Sequence, residues 1–530
     1  NDAGCDSADC DARGERVTLD LTAILVIGLA AVLYAAVIPD RWRAWAVLLG
    51  SVVALFWLQA PLTPRYADFL LPSATVALSV AGWWLSRPPR RAFMAPASLT
   101  TVDPGTTQPD DNNIEVPRVY VRDDWFTLIV VITVILALSL FRYVGTDFRL
   151  TASRPPSPVF VGITALEVGL VFTALAIILR RLPQRAVLNG AIATMIALFV
   201  VVKWPPATTA VAGWWRGLSG QDITLAAPSD LAWLGFSYVA FRIIHTLRDR
   251  QTGTLPDLSL RAYLSYILFA PSIVAGPIDR AERFTQEYQA LPALHAFDAT
   301  RWGMGLWRIA EGLFKKFVIA DMLAQGMSLT PAIAAESQNA IALWALLFGY
   351  GLRLYFDFGG YSDIAIGLGT LFGIKLPENF IRPYWRTNIT AFWQSWHITL
   401  SNWARFYVFT PLSRGLLRRR QPDRPSLLTP TTIVLTGHMA TMIVIGLWHG
   451  ITWNFLIWGI WHALALFAHK QWSDRTRKWY RQLQTKKWPR RGWATVSWTA
   501  TILYVMLGWV WFLMPTPEAA IQTFAKLFSF

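Results

Sequence analysis

Two histidines set the chemical question. His397 lies within Phe392-Trp393-Gln394-Ser395-Trp396-His397-Ile398-Thr399-Leu400-Ser401 and His449 within Gly446-Leu447-Trp448-His449-Gly450, and both stretches are apolar and dense in tryptophan. An ionisable ring is costly to hold at membrane depth, so two of them in such surroundings mark a functional site. The chemistry open to them is proton transfer, because a neutral imidazole with a reference pKa of about 6.5 can take the proton of a hydroxyl. Packing in an apolar helix is the competing reading for each ring. It suits His438 and His462 better, and His245, His295 and His469, beside polar or basic residues, are expected at the interface.

Other polar groups recur around these stretches. Asp357 sits in Leu354-Tyr355-Phe356-Asp357-Phe358-Gly359-Gly360-Tyr361-Ser362-Asp363, where an unpaired carboxylate carries a large penalty; it is expected to pair with an arginine, a histidine or a backbone donor. Glu311 and Lys315 have the spacing of a salt pair on one helix face. Arg280 and Arg283 either meet an anionic group or snorkel to the interface. If the stretch is helical, Trp393, His397 and Ser401 share one face, with the His397 ring between an indole and a hydroxyl. The only cysteines, Cys5 and Cys10, lie in a polar N-terminal tail, so neither a thiol nucleophile nor a zinc site with Cys ligands is expected, and no metal is called for. That tail begins at Asn1, which suits a processed or truncated start, and carries no visible cleavable signal.

The elements that must position these residues are membrane helices. Hydrophobic residues make up 54% of the chain and charged ones 15%, and the mean hydropathy is +0.37, beyond the range of ordinary soluble domains. Apolar runs of span length recur from Leu19 to Met514, and about eleven to thirteen spans are expected from the need for some twenty apolar residues each. The net charge of +15 does not point to nucleic acid, because the basic residues fall between apolar runs. Loops such as Arg87 to Arg91, Arg414 to Arg424 and Lys470 to Arg491 are expected to face the cytoplasm. The chain divides into a tail with three accessory spans (1–86), a polar linker (87–124) and a core (125–530). Pro271 and Pro277 bracket a segment too short to span, so a re-entrant or broken helix is expected there. Thr431 to His469 is flanked by basic stretches, so it is read as a hairpin with His449-Gly450 at its turn, or else as one long tilted span.

Ala275-Gly276-Pro277-Ile278 with Arg280, Gly312-Leu313-Phe314-Lys315-Lys316, Tyr355-Phe356-Asp357-Phe358, Gly360-Tyr361-Ser362-Asp363, Pro377-Glu378-Asn379-Phe380, Trp396-His397-Ile398 and Leu447-Trp448-His449-Gly450 form an ordered set of blocks from roughly Leu231 to Leu466. Together they resemble the bacterial branch of the membrane-bound O-acyltransferase family, which includes alginate O-acetyltransferases and the teichoic-acid D-alanine transfer protein. This chain departs from the pattern in Gln394-Ser395, where relatives carry two arginines, and in Arg405-Phe406-Tyr407.

The resemblance implies an all-α polytopic fold, with re-entrant and interfacial helices around a central pocket, in the bacterial cytoplasmic (inner) membrane. It implies transfer of an acyl group, acetyl first, from acyl-CoA (acetyl-CoA) or an acyl-carrier-protein thioester to a hydroxyl of an envelope polysaccharide, glycolipid or teichoic-acid-like polymer. An exported partner acyltransferase is a further expected partner besides membrane lipid. His449 is then the candidate general base. His397 has three open roles: orienting the acceptor hydroxyl, donating to the developing oxyanion, or supporting His449. Trp393, Trp396, Ser401, Asn454, Trp448, Asp357 and Tyr355 are the candidate substrate-contacting residues. A transporter, or a scaffold without catalysis, would use similar residues; each would keep its function without the His449 ring.

Overall fold

The computed structural model describes residues 20–87, 121–420 and 427–529. Cys5, Cys10, nearly all of the linker and part of the Arg414 to Arg424 loop fall outside them. Among the described residues the secondary structure is helical throughout. The helices used below are α1 (Leu21–Val37), α2 (Arg43–Trp57), α3 (Ala67–Leu85), α4 (Val121–Ser139), α5 (Pro158–Leu179), α6 (Gln184–Lys203), α7 (Phe236–Thr252), α8 (Leu260–Leu268), α9 (Ala270–Ile273), α10 (Ala299–Leu313), α11 (Ala340–Leu371), α12 (Ile389–Trp393), α13 (Ile398–Ala404), α14 (Pro430–His449), α15 (Trp453–Arg475), α16 (Arg477–Gln484) and α17 (Lys487–Leu513).

Seven helices among the described residues are long and apolar enough to cross a membrane: α3, Asp123–Tyr143, α5, α6, α11, α14 and α17. That is fewer than the eleven to thirteen expected. Apolarity alone does not distinguish a lipid-facing span from a segment buried in protein, and several apolar runs fold as short or interrupted helices. The clearest is the segment around Pro271, where α8 stops at Leu268, α9 lasts one turn, and the chain then runs without helix to Ala281. The freed backbone groups are met from the side. Arg242 of α7, 1% exposed, donates to the carbonyls of Tyr266 (3.3 Å), Ile267 (2.7 Å) and Ser272 (3.1 Å). This is how a broken helix persists at depth: protein replaces the missing ladder.

The two most extensive helix pairs are α10 with α11 and α14 with α15. In the second, Gly446 and Gly459 let the backbones touch. A Cβ at Gly459 would lie 2.6 Å from the Met442 carbonyl oxygen, and one at Gly446 would run into that of Phe455. Close backbone approach at small residues is a common basis of helix association in membranes. Thr429 caps the start of α14, which runs to His449; the chain turns at Gly450, and Thr452 caps α15. The hairpin reading of Thr431 to His469 holds, with His449 at the turn.

Ionic groups join α10 to α11. The helix continues past Leu313 as a π-helical turn, Phe314–Ala320. Lys315 there bonds Glu311 (2.5 Å) and Asp363 (2.6 Å), and Lys316 bonds Asp357 (2.5 Å). Arg308 bridges Asp363 (2.7 Å) to Glu378 (2.5 Å). The N-terminal helices pack on the rest: α2 on α8 and α9, α3 on α7 and α8, and α1 on α11.

Candidate active site

His397 is placed by a break, not by a helix face. α12 ends at Trp393, and His397 itself adopts φ +42°, ψ +55° ahead of α13. The i,i+4 alignment of Trp393, His397 and Ser401 therefore does not form. A left-handed backbone at a non-glycine residue is strained by about 1–3 kcal/mol and persists only where its surroundings fix it; such residues cluster at functional sites. Asn379 does the fixing. Its carbonyl accepts from the Ile398 N–H (2.9 Å), and its side-chain Oδ1 lies 3.0 Å from His397 Nδ1. The ring is buried, at 2% exposed, and packs on Phe358 (4.7 Å between centroids) and Trp448 (5.7 Å).

His449, at the end of α14, is half-buried. Its ring meets Trp448 (4.5 Å), Phe512 (4.7 Å), Trp458 (5.6 Å) and Phe455 (5.8 Å). Trp448 thus stands between the two imidazoles. Beyond Trp458 the file of rings continues to His462 (4.9 Å) and Trp393 (5.7 Å). Along it, Trp448 Nε1, Trp458 Nε1, Trp393 Nε1, His397 Nε2 and both His462 nitrogens are buried without a hydrogen-bond partner. Native interiors leave few such groups, and a run of them calls for an explanation such as ordered water or a polar ligand.

The other candidate residues divide, and the structure gathers only some of them around the histidines. Asn454 is buried; its Nδ2 donates to the Met514 carbonyl (2.6 Å), tying α15 to the end of α17, while its Oδ1 is unpartnered. Ser401 Oγ donates back to the Trp396 carbonyl (3.2 Å). Trp396 and Tyr355 belong to an aromatic core with Phe380 and Tyr384. Asp357 is held by Lys316, whereas an arginine, a histidine or a backbone donor was expected. Arg283 pairs with Asp279, and Arg280 with Asp249 (3.5 Å), so both find carboxylates within the protein. His245 is not interfacial: it is buried beside Tyr266 and Tyr407, where the broken helix needs a polar partner, and Nε2 accepts from the Ala281 N–H (3.4 Å). Asn379, Trp458 and Phe512 also touch the two imidazoles and are not among the candidate residues read from the sequence. Only Asn379 carried a signal, as part of Pro377-Glu378-Asn379-Phe380.

A cavity of about 760 Å³ lies at the other end of the hairpin, among the end of α15, α16, the start of α17 and Thr387-Asn388. Arg477, Arg481 and Arg490 line it with Trp472, Tyr480 and Trp493, and among the described residues no carboxylate does. Neither His397 nor His449 lines it. Its link to the ring file is Thr390 of α12, whose hydroxyl lies 2.9 Å from Nδ1 of the cavity-lining His469.

An all-helical membrane fold with a broken helix, and with two imidazoles packed on one buried tryptophan, defines a class, and sequence comparison supplies its family. The profile of the membrane-bound O-acyltransferase family, MBOAT, matches residues 195–515, more than half of the chain. The chain belongs to that family. It is 32% identical over 275 residues to a teichoic acid D-alanyltransferase of Streptococcus thermophilus, covering 49% of this chain and 64% of the relative. It is 34% identical over 305 residues to a peptidoglycan O-acetyltransferase of Helicobacter pylori, covering 55% and 54%. It is 33% identical over 299 residues to a probable alginate O-acetylase AlgI of Azotobacter vinelandii, covering 56% and 54%. The chain thus spans between half and two thirds of the length of these curated relatives.

Proposed function

We propose that this protein is an O-acyltransferase of the bacterial cytoplasmic membrane that moves an acyl group, acetyl first, from a thioester to a hydroxyl of an envelope polysaccharide, glycolipid or related polymer. The observation that carries the reading is the pair of imidazoles that both pack on Trp448, set in a file of buried polar atoms without a hydrogen-bond partner among the described residues. His449 takes the hydroxyl proton as the oxygen attacks the thioester carbonyl. The C–O bond forms, the C–S bond breaks, and the departing thiolate recovers the proton from the imidazolium. Buried indole N–H groups such as those of Trp448 and Trp458 supply donors in a water-poor setting, where a donor to a developing oxyanion counts most. Direct transfer is preferred to an acyl-enzyme, since the sequence around His449 offers no recognisable Ser-His-Asp arrangement.

The donor approaches from the arginine-lined cavity. Acetyl-CoA and a carrier-bound acyl group both bring a phosphate on a pantetheine arm, and three guanidiniums without a carboxylate among them suit it. The cavity volume is within the usual range for small-molecule sites. The D-alanyltransferase relative favours D-alanyl as the acyl group in a second form of the same reading, for which we take a carrier-bound thioester as donor; a separate exported protein that completes delivery to the polymer fits either.

The test is transfer from a radiolabelled acetyl thioester in membranes holding equal amounts of wild-type protein and His449→Ala. The variant is expected to lose about 10²- to 10⁴-fold in rate, as removal of a general base does, with unchanged membrane yield. Equal rates in the two preparations would overturn the assignment.

A further inference from the structure

We infer that Asn379 is a positioning residue that keeps the proton of His397 on Nδ1, so that the buried Nε2 presents a lone pair and the ring acts as a hydrogen-bond acceptor for a hydroxyl. The inference rests on the proposed function for what binds there, but not for the tautomer itself.

The tautomer follows from which neighbours can only donate. Oδ1 of Asn379 receives the backbone N–H of Thr399 (3.3 Å) and the Thr399 hydroxyl (2.9 Å). A backbone N–H has no acceptor capacity, so the amide atom facing it is the oxygen; the flipped amide would set donor against donor. The Thr399 hydroxyl is itself an acceptor from the Ile278 N–H (3.1 Å), which leaves its hydrogen free for Asn379. The opposite end of the amide agrees, since Nδ2 donates to Ser362 Oγ (3.2 Å). His397 Nδ1 lies 3.0 Å from that same oxygen. Two lone pairs do not face each other at that distance, so Nδ1 bears the hydrogen. In the neutral ring the other nitrogen is then bare, and the hydrogen bond on one nitrogen sets the state of the other.

Among the described residues Nε2 has no hydrogen-bond partner, and it is buried. A neutral ring in this state cannot donate to an oxyanion. Of the three roles open to His397, donation to the oxyanion therefore falls to other groups. Of the two that remain, orienting the acceptor uses the bare Nε2 directly: it accepts a hydrogen bond from a hydroxyl beside the reacting one, whose single hydrogen goes to His449. Asn379 is 0% exposed and also holds the backbone on the C-terminal side of His397, through Ile398 and Thr399, so the direction of the lone pair is fixed along with its existence.

The experiment is ¹⁵N NMR of the full-length protein, ¹⁵N-labelled at histidine and held in lipid nanodiscs, with the His397 signals assigned by their loss in His397→Gln. The expected spectrum has a protonated Nδ1 and a bare Nε2 at His397. Asn379→Leu is expected to shift the ring toward the opposite tautomer or a mixture and to lower kcat by about 10²-fold, the lower end of what a correctly protonated acid–base group contributes, with KM for the thioester unchanged. Asn379→Asp, which keeps an acceptor facing Nδ1, is expected to restore the wild-type protonation pattern and most of kcat. A wild-type ring protonated on Nε2, or an Asn379→Leu spectrum identical to wild type, overturns the inference. Because the spectrum is read without turnover, it is decided separately from whether the protein transfers acyl groups.

Discussion

Ser401 and Asp357 carry polar atoms that the protein already uses, and that decides what replacing them does. Ser401 bonds back to the Trp396 carbonyl, so Ser401→Ala is expected to leave the transfer rate within about 2-fold of wild type, whereas His397→Ala falls by about 10²-fold; initial rates on matched membranes make the comparison. Asp357 pairs with Lys316, which is 5% exposed. Asp357→Ala should therefore destabilise the fold by about 1–3 kcal/mol, the penalty of a buried group left without its partner. A lowered melting temperature in detergent with unchanged KM would mark the residue as structural; a raised KM without loss of stability would restore it to the substrate site. At this scale both histidines were legible in the sequence, because an imidazole in an apolar, tryptophan-rich run is conspicuous. The backbone of His397 was not. Nothing in residues 393 to 401 signals the left-handed turn, which depends on an asparagine that the fold brings in from position 379.

Among the helices, the α14–α15 hairpin matters most, since it carries His449 at its turn and Trp458 and His462 beyond it. Its crossing depends on backbone contact at Gly446 and Gly459. Gly446→Val forces the helices apart, and overpacking of this kind destabilises by about 1–3 kcal/mol. Because Trp458 of α15 packs on the His449 ring, the same substitution is expected to reduce transfer more than binding, visible as a fall in kcat with little change in KM. Loss of stability without a change in kcat would show that the hairpin supports the fold but does not set the ring. The hairpin was readable from its basic flanks, and the broken helix from Pro271 and Pro277. Which apolar runs can cross was not: α8 is apolar but buried in protein and too short to cross, and hydropathy sees only the first property.

Across the whole molecule, the arginine-lined cavity and the two imidazoles lie toward opposite ends of α15, joined by the ring file of Trp393, His462 and Trp458. The proposed transfer, with its donor on one side of a membrane and its acceptor on the other, calls for such a separation. Replacing Arg477, Arg481 and Arg490 together by Ala is expected to raise KM for the thioester about 10-fold or more while leaving kcat near wild type, as removal of binding shared by ground and transition states does. A fall in kcat at constant KM would remove the cavity from the donor path. Basic loops able to attract an anionic donor were legible in the sequence; that three of their arginines converge on one cavity became visible only once α16 folded back against α17.

On the proposed function, acyl transfer to an envelope hydroxyl passes through His449. This is tested most directly by mass spectrometry of envelope polymers from a deletion strain carrying the wild-type gene or the His449→Ala variant at equal membrane abundance. The expected result is loss of an O-acyl modification in the deletion strain, its return with the wild-type protein, and no return with the variant. Full restoration by His449→Ala would contradict the account.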